Sequence, residues 1–304
     1  MRWRGGVAVG VAVALSAAAR SSRPGGVSGA IATTKLCRSY ERSSSAAGRV
    51  GRAQVEQLRE ALSERDWAVT GDVARLRLVT GAQLERLHFA DLADGSRAVV
   101  RRRVLGRLVR ERVLATLERR IGGVRAGSAG LVYSLDTAGY RLVAADGGRR
   151  AGLPGGRYMR HVLAVSELYA SLVDVSRHGQ FRLITFDAEP ASWWPDSRGG
   201  VLKPDAAVRV EAGAHRDNWW IEVDRATESL PTLRAKLMVY LDFYNRGGRG
   251  PEEIMPWILI TVPDAKRHSD VVRLIRQLPS GSESLFVVTL DKDAVDEIMR
   301  VLTE

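Results

Sequence analysis

Two carboxylates in one short run pose the chemical question of this chain. The stretch WWIEVDRATESLPTLRAKLMVY, Trp219 to Tyr240, opens with bulky apolar and β-branched residues, which predicts a core strand. Glu222 and Asp224 interrupt it. Strand side chains alternate faces, so these two share one face while Ile221 and Val223 share the other. Side-by-side carboxylates on a buried strand repel each other and resist leaving water. An arrangement that costs this much calls for a use.

A second group of residues points to nucleic acid. In SRAVVRRRVLGRLVRERVL, from Ser96, the residues Val100, Val104, Leu105 and Leu108 form an apolar stripe at helical spacing. Arg102, Arg103 and Arg110 fall opposite it and Arg107 lies at its edge. An arginine face of this kind suits the major groove of double-stranded DNA. The alternative is a solvated arginine face with no partner. Arg101 falls inside the apolar arc, so it must snorkel out or find a partner.

The charge distribution agrees with a polyanion partner. The chain has 304 residues and a formal charge of +11, with the excess positive charge in the first 150 residues and a mildly acidic second half. Five lysines stand against 41 arginines. Cys37 is the sole cysteine, which excludes an intramolecular disulfide and a cysteine-rich zinc site and fits a cytoplasmic protein. The opening MRWRGGVAVGVAVALSAAARSS has the outline of a signal peptide but is too short to span a membrane. With the Ser/Gly/Arg-rich run after it, it reads as a disordered basic extension over residues 1–52, with export as the other reading.

The elements that position these residues fall into two regions. Residues 53–150 predict helices capped by Ser63, with Asp66 completing a capping box, by Thr80, and by Ser96. Two β-like runs follow, LATLERRI and LVYSLD, joined by GGVRAGSAG. That order describes a winged helix-turn-helix, with Arg119, Arg120 and Arg125 on the wing as further DNA-backbone contacts. Residues 155–304 follow a Gly-rich boundary and alternate as α-β-β-β-α-β-α-β-α, an α/β domain with a mixed sheet. The chain as a whole is thus α/β and α+β.

The second region resembles the PD-(D/E)XK nuclease superfamily, whose core runs αβββαβ. Pro204-Asp205 stands at the start of the second strand and Glu222-Val223-Asp224 on the third, where that superfamily carries Pro-Asp and Glu-x-Lys. The resemblance implies that Asp205 and Glu222 converge at one end of the sheet. There they would hold Mg2+, or alternatively Mn2+, with the Val223 carbonyl and Glu167 of the first helix as further ligands. The cation would relieve the carboxylate repulsion and activate a water. Asp224 stands where lysine is usual, and Lys236 on the following helix is the candidate replacement, with Tyr240 four residues later able to orient it. The implied catalytic set is Asp205, Glu222, Asp224 and Lys236.

The whole arrangement is similar to the replication-relaxation family of actinobacterial plasmids and integrated elements. Pro204, Asp205, Glu222, Asp224, Arg225, Thr227, Glu228, Lys236 and Tyr240 carry the likeness, with His161 at the start of the domain's first helix. It implies a role in replication, relaxation or transfer of plasmid-like DNA. Two functions stay open: a metal-dependent nickase or endonuclease, and a non-catalytic DNA-binding regulator with a degenerate nuclease-like domain. A transcription factor with a ligand-sensing domain is a third. Double-stranded DNA is the expected partner, a homodimer stays open, and no membrane is expected. Trp193-Trp194 stand on a loop, either as core or as a platform on which bases stack.

Overall fold

The fold begins with helices whose ends are written in the sequence. The structure, a computed structural model, describes residues 50–117, 130–143, 156–196 and 198–303. Residues 1–49 of the basic extension, Arg119, Arg120, Arg125 and residues 144–155 at the Gly-rich boundary lie outside the described residues. Helix α1 spans Arg52–Ala61 and buries Val55 and Leu58. Helix α2 spans Glu64–Leu76, and both halves of its capping box form: Asp66 N donates to Ser63 Oγ at 3.3 Å and Ser63 N to Asp66 Oδ2 at 2.9 Å. After the short strand β1, Val79–Thr80, helix α3 spans Gly81–His88 with a second box between Thr80 and Gln83. These side chains satisfy amide donors that a helix start leaves without partners.

Helix α4, Asp94–Arg110, departs from the sequence expectation at both ends. Its N-cap is Ala93, and Ser96 sits inside the first turn with its hydroxyl donating to Ala93 O at 3.0 Å. The helix therefore starts earlier than a Ser96 cap requires, and it stops at Arg110 because the chain turns through Arg112 at φ 60°. Strands β2, Leu114–Leu117, and β3, Val132–Leu135, pair antiparallel and β1 joins the other edge of β3. A further helix, α5 over Thr137–Val143, was not anticipated. It packs so closely on the preceding segment that a Cβ on Gly139 would lie 2.2 Å from Val113 O, so glycine is required there.

The second half is a mixed α/β arrangement. Helix α6, Gly156–Arg177, leads into β4, Arg182–Ala188. A hairpin of two-residue strands follows, β5 at Trp194–Pro195 and β6 at Val201–Leu202. Then come β7, Ala206–Ala212; β8, His215–Val223; α7, Leu230–Asn245; β9, Trp257–Val262; α8, Ala265–Ile275; β10, Phe286–Leu290; and α9, Ala294–Thr303. The five long strands form one sheet in the order β10-β9-β8-β7-β4. Strands β4, β7 and β8 run antiparallel, while β8, β9 and β10 run parallel through the crossovers α7 and α8. Among the described residues no helix is long and apolar enough to cross a membrane.

Alternation along β8 divides two cores. Trp219, Ile221 and Val223 face one core, and Trp220 faces the other with Leu233, Leu237 and Tyr240 of α7. The first core runs unbroken from Val55 of α1 through Leu172 of α6 to Leu302 of α9. Polar contacts line the same seam. Ser166 Oγ donates to Leu78 O at 2.7 Å, Arg86 Nε to Asp174 at 2.6 Å, and Arg75 Nη1 to Phe186 O at 3.2 Å. The N-terminal helices are therefore fastened to α6 and β4 by apolar and charged groups together.

Candidate functional site

Asp205 immediately precedes β7 and Glu222 is next to last in β8, so antiparallel pairing brings both to one end of the sheet. Backbone bonds fix Asp205: its N–H donates to Ile221 O at 2.9 Å and its carbonyl accepts from Glu189 N at 3.1 Å. Its Oδ2 accepts the Val223 N–H at 2.8 Å. Its Oδ1 faces His161 Nε2 at 3.3 Å and Lys236 Nζ at 3.8 Å. Glu222 points to the face of the sheet that α7 covers and is 2% exposed. Its Oε1 accepts the Tyr240 hydroxyl and its Oε2 meets Lys236 Nζ.

Lys236 reaches this point because of where α7 starts. Ser229 caps the helix through Thr232 N, and Pro231 fits its first turn. Lys236 and Tyr240 are four residues apart and lie on the same side of the helix. Tyr240 donates its hydroxyl to Glu222, so it holds the carboxylate and not the lysine amine.

The electrostatics follow from burial and these contacts. Burial, then the neighbouring Asp205, pushes the Glu222 carboxyl up to about 8, against the downward pull of Lys236 and Tyr240. Burial also opposes charge on Asp205, but the His161 contact, Lys236 and the Val223 N–H outweigh it, and the carboxyl sits below the usual range. Burial works against the charge on His161 and Lys236 too. Asp205 overcomes it for the first, and Glu222 with Asp205 for the second, so both hold their protons more firmly than usual. His161 Nδ1 lies 3.1 Å from Val223 O, so both ring nitrogens face oxygen acceptors. A ring so placed is held best with both nitrogens protonated.

His161 is the site residue that sequence reasoning did not assign. A single histidine near the start of a helix carries no local signal, and its two partners lie on strands far along the chain. Beside it, the Tyr158 hydroxyl meets Glu189 and Arg77, and Arg77 comes from the end of α2. The edge of the site thus includes a side chain from the N-terminal helices.

Two predicted residues are not brought to this cluster. Asp224 is spent elsewhere: its Oδ2 accepts Arg267 Nε at 2.6 Å and its Oδ1 the Ala226 N–H at 2.7 Å. Glu167 lies six residues beyond His161 on α6, which turns it to another side of the helix. There it accepts Gln83 Nε2 at 2.8 Å and pairs with Arg86 of α3.

The donor set suits a hard cation in kind. Two adjoining carboxylates and the Val223 carbonyl are oxygen ligands, and burial with the neighbouring Asp205 raises the Glu222 carboxyl, a cost that a bound cation would offset. Each carboxylate oxygen already has a protein partner, however, and among the described residues no group of three His, Cys, Asp or Glu is set to hold a metal. A divalent ion at Asp205 and Glu222 therefore requires Lys236 to give way.

A family model described as replication-relaxation matches residues 71–255, more than half of the chain. The chain belongs to the replication-relaxation family. The matched segment of this replication-relaxation protein contains Arg77, His161, Asp205, Glu222, Lys236 and Tyr240 and stops before β9. No curated protein and no solved structure matches the chain.

The arginines expected to meet DNA fall into two kinds. Arg102, Arg103 and Arg110 are exposed on α4. Arg107 instead pairs with the buried Asp66 at 2.6 Å and with Glu111 at 3.2 Å. Arg101 is buried and pairs with Glu85 at 2.5 Å.

Proposed function

We propose that this replication-relaxation protein binds double-stranded DNA of a plasmid or mobile element and acts on a phosphodiester at the Asp205–Glu222–Lys236 cluster, with Mg2+ or Mn2+ held by the two carboxylates. The observation that carries the reading is the place of Lys236, in contact with Glu222 and 3.8 Å from Asp205. A phosphodiester in reaction gathers negative charge, and a cation aimed at it lowers the barrier. Lys236 supplies the charge that Asp224 cannot. A bound divalent ion would polarise the phosphate and activate a water. His161 of α6 holds Asp205, and Tyr240 of α7 holds Glu222.

DNA binding is assigned to the exposed face of α4. Helices α2 to α4, with β1 between the first two and β2 and β3 after them pairing as β1-β3-β2, support the winged-helix reading of residues 53–150. The order α6-β4-β7-β8-α7-β9 supports the PD-(D/E)XK-like reading of residues 155–304.

A second reading is favoured by one observation. Asp224 is committed to Arg267, and every oxygen of Asp205 and Glu222 is engaged, as in a site that has become structural. In that case the protein is a DNA-binding regulator. Incubating the purified chain with supercoiled plasmid separates the two. Nicking that needs Mg2+ or Mn2+ and is lost in Lys236→Met supports the enzyme; DNA binding with no change of plasmid topology in either metal supports the regulator.

A further inference from the structure

Trp193 and Trp194 are adjacent and face opposite ways. Trp194 turns inward: its indole Nε1 donates to Arg249 O at 2.9 Å, its ring lies 6.3 Å from that of Trp220, and it packs against the second core. Across the hairpin it pairs with the buried Leu202. Trp193 turns outward and is 39% exposed. Lys203, the residue after Leu202 and itself exposed, places its amine 4.7 Å from the centre of the Trp193 ring.

This pair is attached to the carboxylate site by the backbone. Ser192, which precedes Trp193, donates its hydroxyl to Pro204 O at 2.6 Å, and Pro204 follows Lys203. The next rung outward from the hairpin is Glu189 N to Asp205 O at 3.1 Å. Trp193 and Lys203 are thus carried on the two strands of chain that fix Asp205.

An outward-facing indole with an exposed amine over its ring has the chemistry to hold a nucleotide. Every base offers a π face for stacking, and the amine meets a phosphate. Bases inside a duplex are stacked on one another and do not offer that face to a protein. We propose that Trp193 and Lys203 form a stacking platform for an unpaired nucleotide of DNA next to the phosphate handled at Asp205 and Glu222. The location beside a reacting phosphate rests on the function proposed above; the preference for an unpaired base does not.

The test is fluorescence anisotropy with labelled oligonucleotides, single-stranded and duplex, of one sequence and without metal. Trp193→Ala lowers single-strand affinity about tenfold and leaves duplex affinity unchanged, and Trp193→Phe keeps most of the single-strand affinity. Lys203→Ala weakens single-strand binding and flattens its salt dependence. Single-strand affinity equal in wild type and Trp193→Ala overturns the platform, as does an equal loss for both DNA forms. Duplex binding with no single-strand binding overturns the platform and leaves the proposed function standing. Failure to bind either form removes both.

Discussion

The amine of Lys236 bridges two strand ends, touching Glu222 and lying 3.8 Å from Asp205. A helix residue thereby sets positive charge between two buried carboxylates. Replacing it with methionine removes the charge and keeps much of the stem. Glu222 can meet the loss by keeping its proton, so the expected cost in stability is about 1–2 kcal/mol, small for a broken buried pair. Plasmid nicking falls on the order of a hundredfold or more while DNA affinity is retained. Unchanged nicking in Lys236→Met would remove the amine from the chemistry.

Glu222 gives the fold a pH signature. Its folded value of about 8 lies above the ordinary 4.5, so between these values the native state keeps a proton that the unfolded chain has lost. The Glu222 contribution to stability is therefore greatest below pH 4.5, declines as pH rises, and levels above about pH 8. Glu222→Gln removes this decline. The stability of the variant relative to wild type should rise from about pH 5 to about pH 8, by up to about 1.4 kcal/mol per pH unit. Urea unfolding across that range checks it, and parallel curves for the two proteins would contradict the raised value.

A divalent ion held by Asp205 and Glu222 binds the native state only. Mg2+ or Mn2+ at a hundred times its dissociation constant should then stabilise the protein by about 2.7 kcal/mol. Asp205→Asn should abolish that increment, and thermal melting with and without metal reads it directly. If both proteins respond to metal alike, the ion does not sit on Asp205.

The arginines of α4 should separate into binding and structural groups. Each of Arg102, Arg103 and Arg110 that contacts a phosphate lowers the salt slope of DNA binding by about 0.9 when changed to alanine. The triple variant should keep its melting temperature, since all three are exposed. Arg107→Ala should instead destabilise the fold by about 1–3 kcal/mol, because it leaves Asp66 buried without its guanidinium. Unchanged DNA affinity in the triple variant would place the DNA surface elsewhere.

Local signals were legible where local physics decides. The Ser63 and Thr80 capping boxes, the bounds of α7 and the alternation that turns Glu222 away from Ile221 are all set by residues within a turn or two. Partners distant along the chain were not legible. The face shared by Glu222 and Asp224 suggested a joint site, yet Asp224 lies past the end of β8 and pairs with Arg267 of α8. His161 gained its place only through the fold, which sets α6 beside Asp205 and Val223. Arg107 read as a surface cation because Asp66, its partner, belongs to another helix. Helix α5 has few residues and a glycine in the middle, which hides it from periodicity.

The seam between the N-terminal helices and α6 has a thermodynamic consequence. Among the described residues, a core that runs from Val55 to Leu302 without a break leaves no plane along which they can come apart cheaply. Heat or urea should therefore melt the described helices and strands in a single transition, with probes in α2 and in β8 reporting the same midpoint. Cutting the backbone between Val143 and Gly156 should yield two pieces that stay together, held by Arg75, Arg86 and Ser166 across the cut.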